Sequence, residues 1–343
     1  MSYTKKYSVN QLKAAKMTAI TACATRRGFS QRIILGERGE VVDDEKTLRE
    51  LLSKRVENIT THHPHLALRL RDEIQGTPEK NGLIPDGTIE AIIRDAAEII
   101  LGADRDRLKI KEKSGSANFV TEYDVKTQAF LKDRFKALMP DCSFLAEEDD
   151  ADDNRVGDGY TFVIDPIDGT TNFMLGRRAS CISVGLLKNK SLVYGAVYDP
   201  YTNRFFSAHI GQGAYCNHRP IGVSERDPAA GLATIGTSPY YRDTMAKSVT
   251  RTFYNLLMSF GDLRRVGSAA LAICEIACGE ADAFCEEILS PWDFTAGALI
   301  ATEAGGIVSD FGGGKLRFDS PSSVIVATPA SYKTALDAVQ NID

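Results

Sequence analysis

The spacing of apolar residues changes along the chain, and these changes predict both helices and sheets. Apolar residues recur at helical spacing through residues 87–101 and 122–138. Three β-rich runs separated by polar turns follow, at residues 182–187, 192–198 and 204–208. Strands at such close spacing predict an antiparallel meander.

Beyond Val223 the pattern alternates between helical periodicity and short apolar runs. Helices are predicted at residues 244–260, 268–278, 292–304 and 330–339. Strands are predicted at residues 263–266, 281–285, 307–309 and 324–327. Because each helix and each sheet must bury its apolar face, the order of elements predicts an α+β fold in which helices are layered on sheets.

The first part of the chain forms a separate block that ends in a linker containing Gly and Pro, at residues 76–87. We predict an N-terminal extension over residues 1–85 and a main domain over residues 86–343, with lobes at about 86–222 and 223–343. The extension could cover the main domain, support oligomerisation or bind a regulator, and the sequence leaves these roles open.

Composition narrows the class of protein. The chain has 343 residues, 43% of them hydrophobic and 25% charged, which is ordinary for globular proteins. Its formal net charge of −5 argues against a nucleic-acid-binding protein, whose surface would be basic. No apolar stretch approaches the roughly 20 residues of a membrane helix, and the N-terminus lacks the apolar core of a signal peptide. We therefore expect a cytoplasmic protein without a nucleic-acid or membrane partner.

One segment combines a strand pattern with two closely spaced acids. Apolar residues 162–164 lead into Asp165 and Asp168. Because Pro166 cannot donate to a sheet ladder, we expect the chain to leave the sheet at Asp165. Two carboxylates without histidine are typical ligands of a hard divalent cation such as Mg2+. The alternative is a turn in which the Asp side chains cap their own backbone.

The residues that follow predict a phosphate site beside these acids. Gly169 permits a tight turn, and the hydroxyls of Thr170 and Thr171 are candidate caps for a helix. Unpaired N–H groups at the start of a helix suit a phosphate. The segment thus predicts cation ligands next to an anion site.

Two further segments place acids at the end of a strand pattern or at the start of a helix pattern. Residues 143–148 end an apolar strand pattern in Glu147 and Glu148, and residues 290–297 place Asp293 at a helix start. Acids at helix starts are ordinary, so each of these segments alone favours a structural role. Together with the first segment, however, they favour a metal site over a purely structural role.

Taken together, the three segments resemble the signatures of the inositol monophosphatase family of Mg2+-dependent, lithium-sensitive phosphatases. An acidic pair after a strand, then Asp-Pro-Ile-Asp-Gly-Thr-Thr-Asn-Phe, then Trp-Asp-x-x-Ala-Gly occur in that order. The likeness runs from about Asp86 to the C-terminus, and three separated motifs are more specific than one. It implies a five-layered α-β-α-β-α sandwich of the inositol monophosphatase and fructose-1,6-bisphosphatase type, with metals at the junction of two lobes. The family usually has Gly where this chain has Ala146, and a positive φ angle there would strain Ala by about 1 kcal/mol.

The resemblance also implies a set of metal ligands. Glu147, Asp165 and the backbone carbonyl of Ile167 would bind a first Mg2+ ion. Asp165 would bridge to a second ion held also by Asp168 and Asp293, and a third, weaker ion would lie near Glu147. Two or three such ions would neutralise a phosphomonoester, activate water and stabilise the leaving oxygen.

Other positions are implied to act on water, phosphate and the leaving alcohol. The residues implied to be catalytic are Glu147, Thr170 and Asp168, with Glu147 and Thr170 orienting the attacking water. The amides of Gly169 and Thr170 would hold the phosphate. The residues implied to contact the alcohol are Asp168, Ala269, Glu286 and Asp293. Lys113 and Asp124 would be electrostatic partners of this site.

The main hypothesis is Mg2+-dependent hydrolysis of a small phosphomonoester by metal-activated water, with inositol monophosphate as the first candidate. Residues 171–173 resemble the inositol-phosphate branch. Adenosine bisphosphate, fructose bisphosphate and histidinol phosphate, the substrates of related branches, stay as alternatives. The resemblance also implies a homodimer. A regulatory binding protein that kept the fold is the alternative of another class, and the intact acid set argues against it.

Overall fold

The computed structural model describes residues 86–112, 119–149, 155–237 and 239–340. The predictions for residues 1–85 and for Lys113 lie outside the described residues. The chain divides into two compact units, residues 1–95 and 96–343, and the described part of the first is the start of helix α1, Asp86–Leu101. The division predicted at residue 85 stays a prediction.

The other helices begin and end within a few residues of the helical patterns. They are α2 Glu122–Leu138, α3 Thr170–Met174, α4 Arg242–Ser259, α5 Ala269–Ala277, α6 Pro291–Glu303 and α7 Tyr332–Gln340. A two-stranded sheet of β1, Ile110–Glu112, and β2, Phe119–Thr121, leads into α2. None of the described helices is long and apolar enough to cross a membrane.

The larger sheet has seven strands in the order of the sequence. They are β3 Ser143–Ala146, β4 Tyr160–Asp168, β5 Cys181–Lys188, β6 Ser191–Asp199, β7 Arg204–His209, β8 Ala214–Cys216 and β9 Arg219–Ile221. Strands β4 to β9 pair antiparallel with their neighbours, so the predicted meander is confirmed. Strand β3 pairs parallel with β4.

The expectation that the chain leaves the sheet at Asp165 was wrong. Strand β4 continues to Asp168, and its pairing with β5 shifts between Asp165 and Asp168. Pro166 cannot donate to the ladder, and this irregularity keeps it out of the paired positions while Asp168 rejoins opposite Cys181. A bulge at this point aims the side chains on either side of it differently from a regular strand.

The smaller sheet has five strands in the order β11-β10-β12-β14-β13. They are β10 Leu232–Ile235, β11 Asp262–Arg264, β12 Ala283–Leu289, β13 Ile307–Ser309 and β14 Ser322–Ala327. Strand β12 is longer than its apolar run, because Glu286 still pairs with Val324 of β14 before the register shifts.

The elements stack as five layers, which confirms the predicted α-β-α-β-α sandwich. Helix α2 packs on one face of the larger sheet, helices α5 and α6 lie between the two sheets, and α4 and α7 cover the outer face of the smaller sheet. The main core fills the space around α5 and α6 with buried residues such as Phe206, Ile273, Leu299 and Val326. A second core under α4 and α7 includes Leu256.

Two paired glycines let α6 approach the larger sheet closely. Gly185 of β5 and Gly195 of β6 face each other in the ladder. A Cβ atom at Gly195 would lie 2.6 Å from the carbonyl oxygen of Ala296, and one at Gly185 would lie 2.6 Å from Cγ2 of Thr295. The backbone of α6 is therefore in direct contact with the larger sheet. This contact fixes the distance between the sheet and the helix that carries Asp293.

We expect Gly195→Ala to lower the free energy of unfolding by about 1–3 kcal/mol, because the added methyl group meets backbone atoms that cannot rotate away. Gly222→Ala is the matched control, since a Cβ there would have its nearest contact at 3.7 Å from the carbonyl oxygen of Ala304. Urea denaturation of both variants measures the difference. Equal stability of the two variants would contradict this account of the contact between α6 and the sheet.

Candidate metal centre

The parallel pairing of β3 and β4 brings the first two acids together. Ala146, the last residue of β3, lies opposite Ile164, and the N–H of Glu147 donates to the carbonyl oxygen of Ile164 at 3.2 Å. Glu147, which directly follows β3, and Asp165 of β4 therefore lie side by side on neighbouring strands. Ala146 is a buried strand residue and is not among the residues with positive φ, so Ala causes no backbone strain here.

The bulge in β4 determines how Asp165 and Asp168 are presented. Oδ1 of Asp165 accepts a hydrogen bond from the N–H of Ile167 at 2.9 Å, which is the local turn that the structural alternative anticipated. This bond uses only part of the accepting capacity of the carboxylate. The turn and a metal site are therefore compatible, because the turn orients a group that still has free lone pairs.

Asp168 is held by the start of helix α5. Its Oδ2 accepts hydrogen bonds from the hydroxyl of Ser268 at 2.5 Å and from the N–H of Ala270 at 2.7 Å, and its Oδ1 accepts from the N–H of Ala269 at 3.3 Å. The positive end of the α5 dipole also favours a carboxylate at this position. Asp168 thus joins the edge of the larger sheet to a helix between the sheets.

Asp293 arrives from helix α6, where it occupies the third helical position. The N–H of Ser290 donates to Oδ2 of Asp293 at 2.7 Å, so Asp293 is part of the helix cap as the structural alternative predicted. It is also part of a cluster. One oxygen each from Asp165, Asp168 and Asp293 lie within 4.8 Å of one another. Glu147 is outside this group of three.

Burial and mutual repulsion disfavour the charged form of these carboxyls. The pKa of Asp165 is raised well above its ordinary value, first by burial and then by the charges of Glu147, Asp168 and Asp293. The pKa of Asp293 is also raised well above its ordinary value, first by burial and then by the charges of Asp168 and Glu147. Burial raises the pKa of Asp168 to about 6 even though the hydrogen bonds from Ser268, Ala270 and Ala269 act in the opposite direction. For this carboxyl, desolvation therefore outweighs its hydrogen bonds.

The donor set fits hard divalent cations. It consists of carboxylate oxygens on rigid elements, and Mg2+ and Ca2+ prefer oxygen ligands. In the part of the chain that the structure describes, no lysine or arginine forms an ion pair with Asp165, Asp168 or Asp293. Three adjacent acids without a protein cation make a cation the natural partner of this cluster.

Thr170 connects this cluster to Asp124. Its hydroxyl lies 3.2 Å from Oδ1 of Asp124 and 3.2 Å from the carbonyl oxygen of Ile167. Oδ2 of Asp124 accepts from the N–H of Thr121 at 2.8 Å and from the Thr121 hydroxyl at 2.5 Å, which caps helix α2. Burial, with a smaller contribution from the charge of Glu147, raises the pKa of Asp124 to about 6.

The cap of helix α3 differs from the prediction. Gly169, with φ at 91°, is the N-cap residue, and no side chain caps this helix. The hydroxyl of Thr170 instead points to Asp124 and Ile167. A Cβ atom at position 169 would lie 3.0 Å from the carbonyl oxygens of both Ala179 and Gly267, so this turn requires glycine for space as well as for its φ angle. The first N–H groups of α3 lack intrahelical partners, as they do at any helix start.

A small cavity of about 100 Å³ lies against these residues. Its lining includes all four positions predicted to contact the alcohol, Asp168, Ala269, Glu286 and Asp293, and the two positions predicted to bind phosphate, Gly169 and Thr170. Tyr240 and Arg265 also line it. Asp165 belongs to the acidic cluster but not to the lining, and Glu147 belongs to neither.

Comparisons with known proteins agree with this geometry. The model of the inositol monophosphatase family matches residues 86–343. The chain belongs to this family. It is 36% identical over 233 residues to inositol monophosphatase 3 of Solanum lycopersicum, which covers 67% of this chain and 86% of the relative. It is 32% identical to the Nus factor SuhB of Vibrio cholerae over 66% of this chain and 85% of that protein.

The fold comparison gives the same family. A solved structure of an IMPase from Thermotoga maritima matches with a TM-score of 0.68 and 28% sequence identity, covering 75% of this chain and 96% of that one. As an inositol monophosphatase family member the chain is a phosphoric monoester hydrolase.

Sequence reasoning missed the residues that hold and flank the family site. Thr121 holds Asp124, and Ser268 holds Asp168, but hydroxyl residues at helix starts are too common to be singled out. Tyr240 and Arg265 line the cavity from segments that carry no motif. Only the fold brings these segments to the site.

The raised pKa values predict how pH and metal affect stability. Protonation of Asp124 and Asp168 stabilises the folded state below their ordinary pKa, and this stability is lost as the pH rises from 3.8 through about 6. We expect metal-free protein to melt at a higher temperature at about pH 5 than at about pH 7. Saturating Mg2+ should remove most of that difference, because it binds the deprotonated carboxylates. At 100 times its dissociation constant, Mg2+ should add about 2.7 kcal/mol to the free energy of unfolding.

Differential scanning fluorimetry with EDTA or MgCl2 measures this effect. Asp165→Asn should shrink both the pH dependence and the Mg2+ gain, because it removes one repelling charge and one metal ligand. Asp199→Asn is the control, since Asp199 is a buried Asp whose Oδ1 likewise accepts from an N–H two residues on, at 2.9 Å. An Mg2+ gain in the Asp165→Asn variant equal to that of Asp199→Asn would refute the metal assignment.

Proposed function

We propose that this phosphatase hydrolyses inositol monophosphate, or a similarly small polyol phosphate, with two or three Mg2+ ions as cofactor. The observation that carries the proposal is the cluster of Asp165, Asp168 and Asp293 oxygens within 4.8 Å, next to the glycine turn that starts α3. Cation ligands beside free N–H groups suit a phosphate dianion.

The proposed ligand roles follow the family resemblance. Glu147, Asp165 and the carbonyl oxygen of Ile167 form one ligand group, with Glu147 also next to a third, weaker ion. Asp165, Asp168 and Asp293 form another group, with Asp165 shared between the two. The bound ions would lower the pKa of a water molecule and neutralise charge on the phosphate and the leaving oxygen.

Thr170 and Glu147 orient the attacking water in this proposal. Because the Thr170 hydroxyl donates toward Asp124 and Ile167, its oxygen lone pairs are free to accept a hydrogen bond from water. Glu147 accepts a hydrogen bond from the other O–H group of that water and would take its proton as general base. The water oxygen would then form the new bond to phosphorus while the bond from phosphorus to the alcohol oxygen breaks.

In this proposal, different groups of the cavity lining bind the phosphate and the alcohol. The N–H groups of Gly169 and Thr170 donate to phosphate oxygens, and preorganised donors of this kind stabilise charge that develops in the transition state. Ala269 and Glu286, with Asp168 and Asp293, contact the leaving alcohol. Lys113 and Asp124 are proposed as further electrostatic partners of the site.

Two further proposals are a homodimeric assembly, which the family resemblance implies, and a cytoplasmic location, which the sequence patterns led us to expect. The choice of substrate within the family is also a proposal, because the relatives include both inositol monophosphatases and Nus factors. A phosphate-release assay over inositol 1-phosphate, glycerol 2-phosphate, fructose 1,6-bisphosphate, histidinol phosphate and adenosine 3′,5′-bisphosphate, with and without Mg2+, decides it. The absence of Mg2+-dependent release from every substrate would favour a regulatory binding protein instead.

We expect Asp165→Asn to lower kcat by a factor of about 10³ or more, because a shared anionic ligand is lost while the side chain keeps its shape and its hydrogen bond to Ile167. Steady-state kinetics on inositol 1-phosphate measure the loss. The Asp199→Asn control should keep kcat within about twofold, since Asp199 belongs neither to the acidic cluster nor to the cavity lining. Near-normal Mg2+-dependent turnover by folded Asp165→Asn protein would contradict the proposed mechanism.

Lithium gives an independent test of the second ligand group. We expect millimolar Li+ to inhibit uncompetitively with respect to inositol 1-phosphate, because Li+ in the Asp165, Asp168 and Asp293 cluster would retain phosphate after the alcohol has left. Initial rates over a grid of substrate and Li+ concentrations show the pattern of inhibition. Insensitivity to Li+ would count against the inositol-phosphate branch, while Mg2+-dependent hydrolysis would still stand.

A further inference from the structure

One wall of the cavity beside the carboxylates carries a tyrosine that the proposed metal and phosphate roles do not use. Tyr240 lies in a single 3₁₀ turn, Pro239–Tyr241, at the entry to helix α4. It lines the same cavity as Asp168, Asp293 and Glu286. Its place in the cavity lining makes it a candidate for contact with whatever the cavity holds.

Tyr240 shares the lining of the cavity with Asp168 and Asp293 and is 43% exposed. Burial raises the pKa of its phenol, and the charges of Glu147, Asp293 and Asp165 add to the effect, so these acids are near the phenol group. Because a tyrosine phenol is neutral at pH 7 even at its ordinary pKa of about 10, the hydroxyl is an O–H donor there.

This donor is not used within the described chain. No hydrogen bond joins the Tyr240 hydroxyl to any residue of the described ranges, whereas the hydroxyls of Thr170 and Ser268 in the same cavity are both engaged. A phenol at a cavity wall usually finds a hydrogen-bond partner when that cavity is filled.

An acceptor lines the same cavity. Glu286 of β12 lies against Gly236, where an added Cβ atom would overlap Oε2 and Cδ of the glutamate. The glycine thus leaves the space that the carboxylate fills. A donor at Tyr240 and an acceptor at Glu286 match an alcohol with several hydroxyl groups, because each hydroxyl can both accept and donate.

We propose that Tyr240 is a specificity-determining residue whose hydroxyl donates a hydrogen bond to an oxygen of the leaving alcohol, so that the enzyme prefers polyhydroxylated leaving groups. This proposal rests on the proposed function and adds to it a residue that contacts the alcohol. The contact is made to the leaving alcohol and not to the phosphate, and we expect it in the ground state as well as in the transition state. Its loss should therefore raise KM and leave kcat nearly unchanged.

The test compares Tyr240→Phe with Tyr241→Phe on two substrates at saturating Mg2+. Tyr241 is the matched control, because it is 44% exposed and is absent from the cavity lining. On myo-inositol 1-phosphate, Tyr240→Phe should lower kcat/KM about tenfold through KM, which is the loss expected for one hydrogen bond. On p-nitrophenyl phosphate, whose leaving group has no such hydroxyls, both variants should stay within about twofold of the parent enzyme.

A third variant separates the hydroxyl from the ring. Tyr240→Leu removes both and should match Tyr240→Phe on inositol 1-phosphate if only the hydroxyl acts. If Tyr240→Phe behaves like the parent enzyme while Tyr240→Leu loses activity on adenosine 3′,5′-bisphosphate, the ring stacks on a base and the proposal is overturned.

The outcomes separate the two levels of inference. A parent enzyme that releases no phosphate from either substrate overturns the proposed function and this proposal together. An active parent enzyme on which Tyr240→Phe and Tyr241→Phe have equal effects overturns the role of Tyr240 alone. A loss confined to inositol 1-phosphate and to Tyr240→Phe supports it.

Discussion

Repulsion among closely spaced carboxyl groups, two of them buried and one half-buried, is the constraint around which this molecule is organised. Asp165, Asp168 and Asp293 present oxygens within 4.8 Å of one another, and their raised pKa values record the cost of holding such charges out of water. For Asp168, a pKa raised from 3.8 to about 6 corresponds to about 3 kcal/mol in favour of the neutral form. A bound divalent cation reverses this preference, so the same arrangement that destabilises the metal-free protein favours metal binding.

The scaffold offsets the repulsion by fixing each acid to a different rigid element. Asp165 is fixed by a turn in β4, Asp168 by the start of α5, and Asp293 by the cap of α6. The contact of α6 with Gly185 and Gly195 holds that helix close to the larger sheet. Hydrogen bonds that orient carboxylates without saturating them leave lone pairs for a cation, and rigid elements keep the geometry from relaxing apart.

The neighbouring cavity divides into regions with different chemistry. The α3 turn offers N–H donors, the cluster offers carboxylates, and the lining also includes Tyr240 and Glu286. The first two regions suit any phosphomonoester. In the proposed function, Tyr240 and Glu286 are therefore the groups that discriminate between alcohols, because unmatched polar groups are costly for a leaving group that lacks hydroxyls.

The sequence by itself determined the helices, the antiparallel meander and the acids of the site, because periodicity and motif are local properties. Strand β4 is longer than predicted. Proline was expected to end the strand, but a bulge at Pro166 lets Asp168 pair with β5 again. The hydroxyl of Thr170 was predicted to cap a helix, but it points to Asp124, a residue 46 positions earlier in the chain. Tertiary structure alone decided that Ser268 holds Asp168, that α6 rests on two glycines and that Tyr240 reaches the cavity. These contacts join segments far apart in sequence, and the pattern within one segment carries no information about which other segment will pack against it.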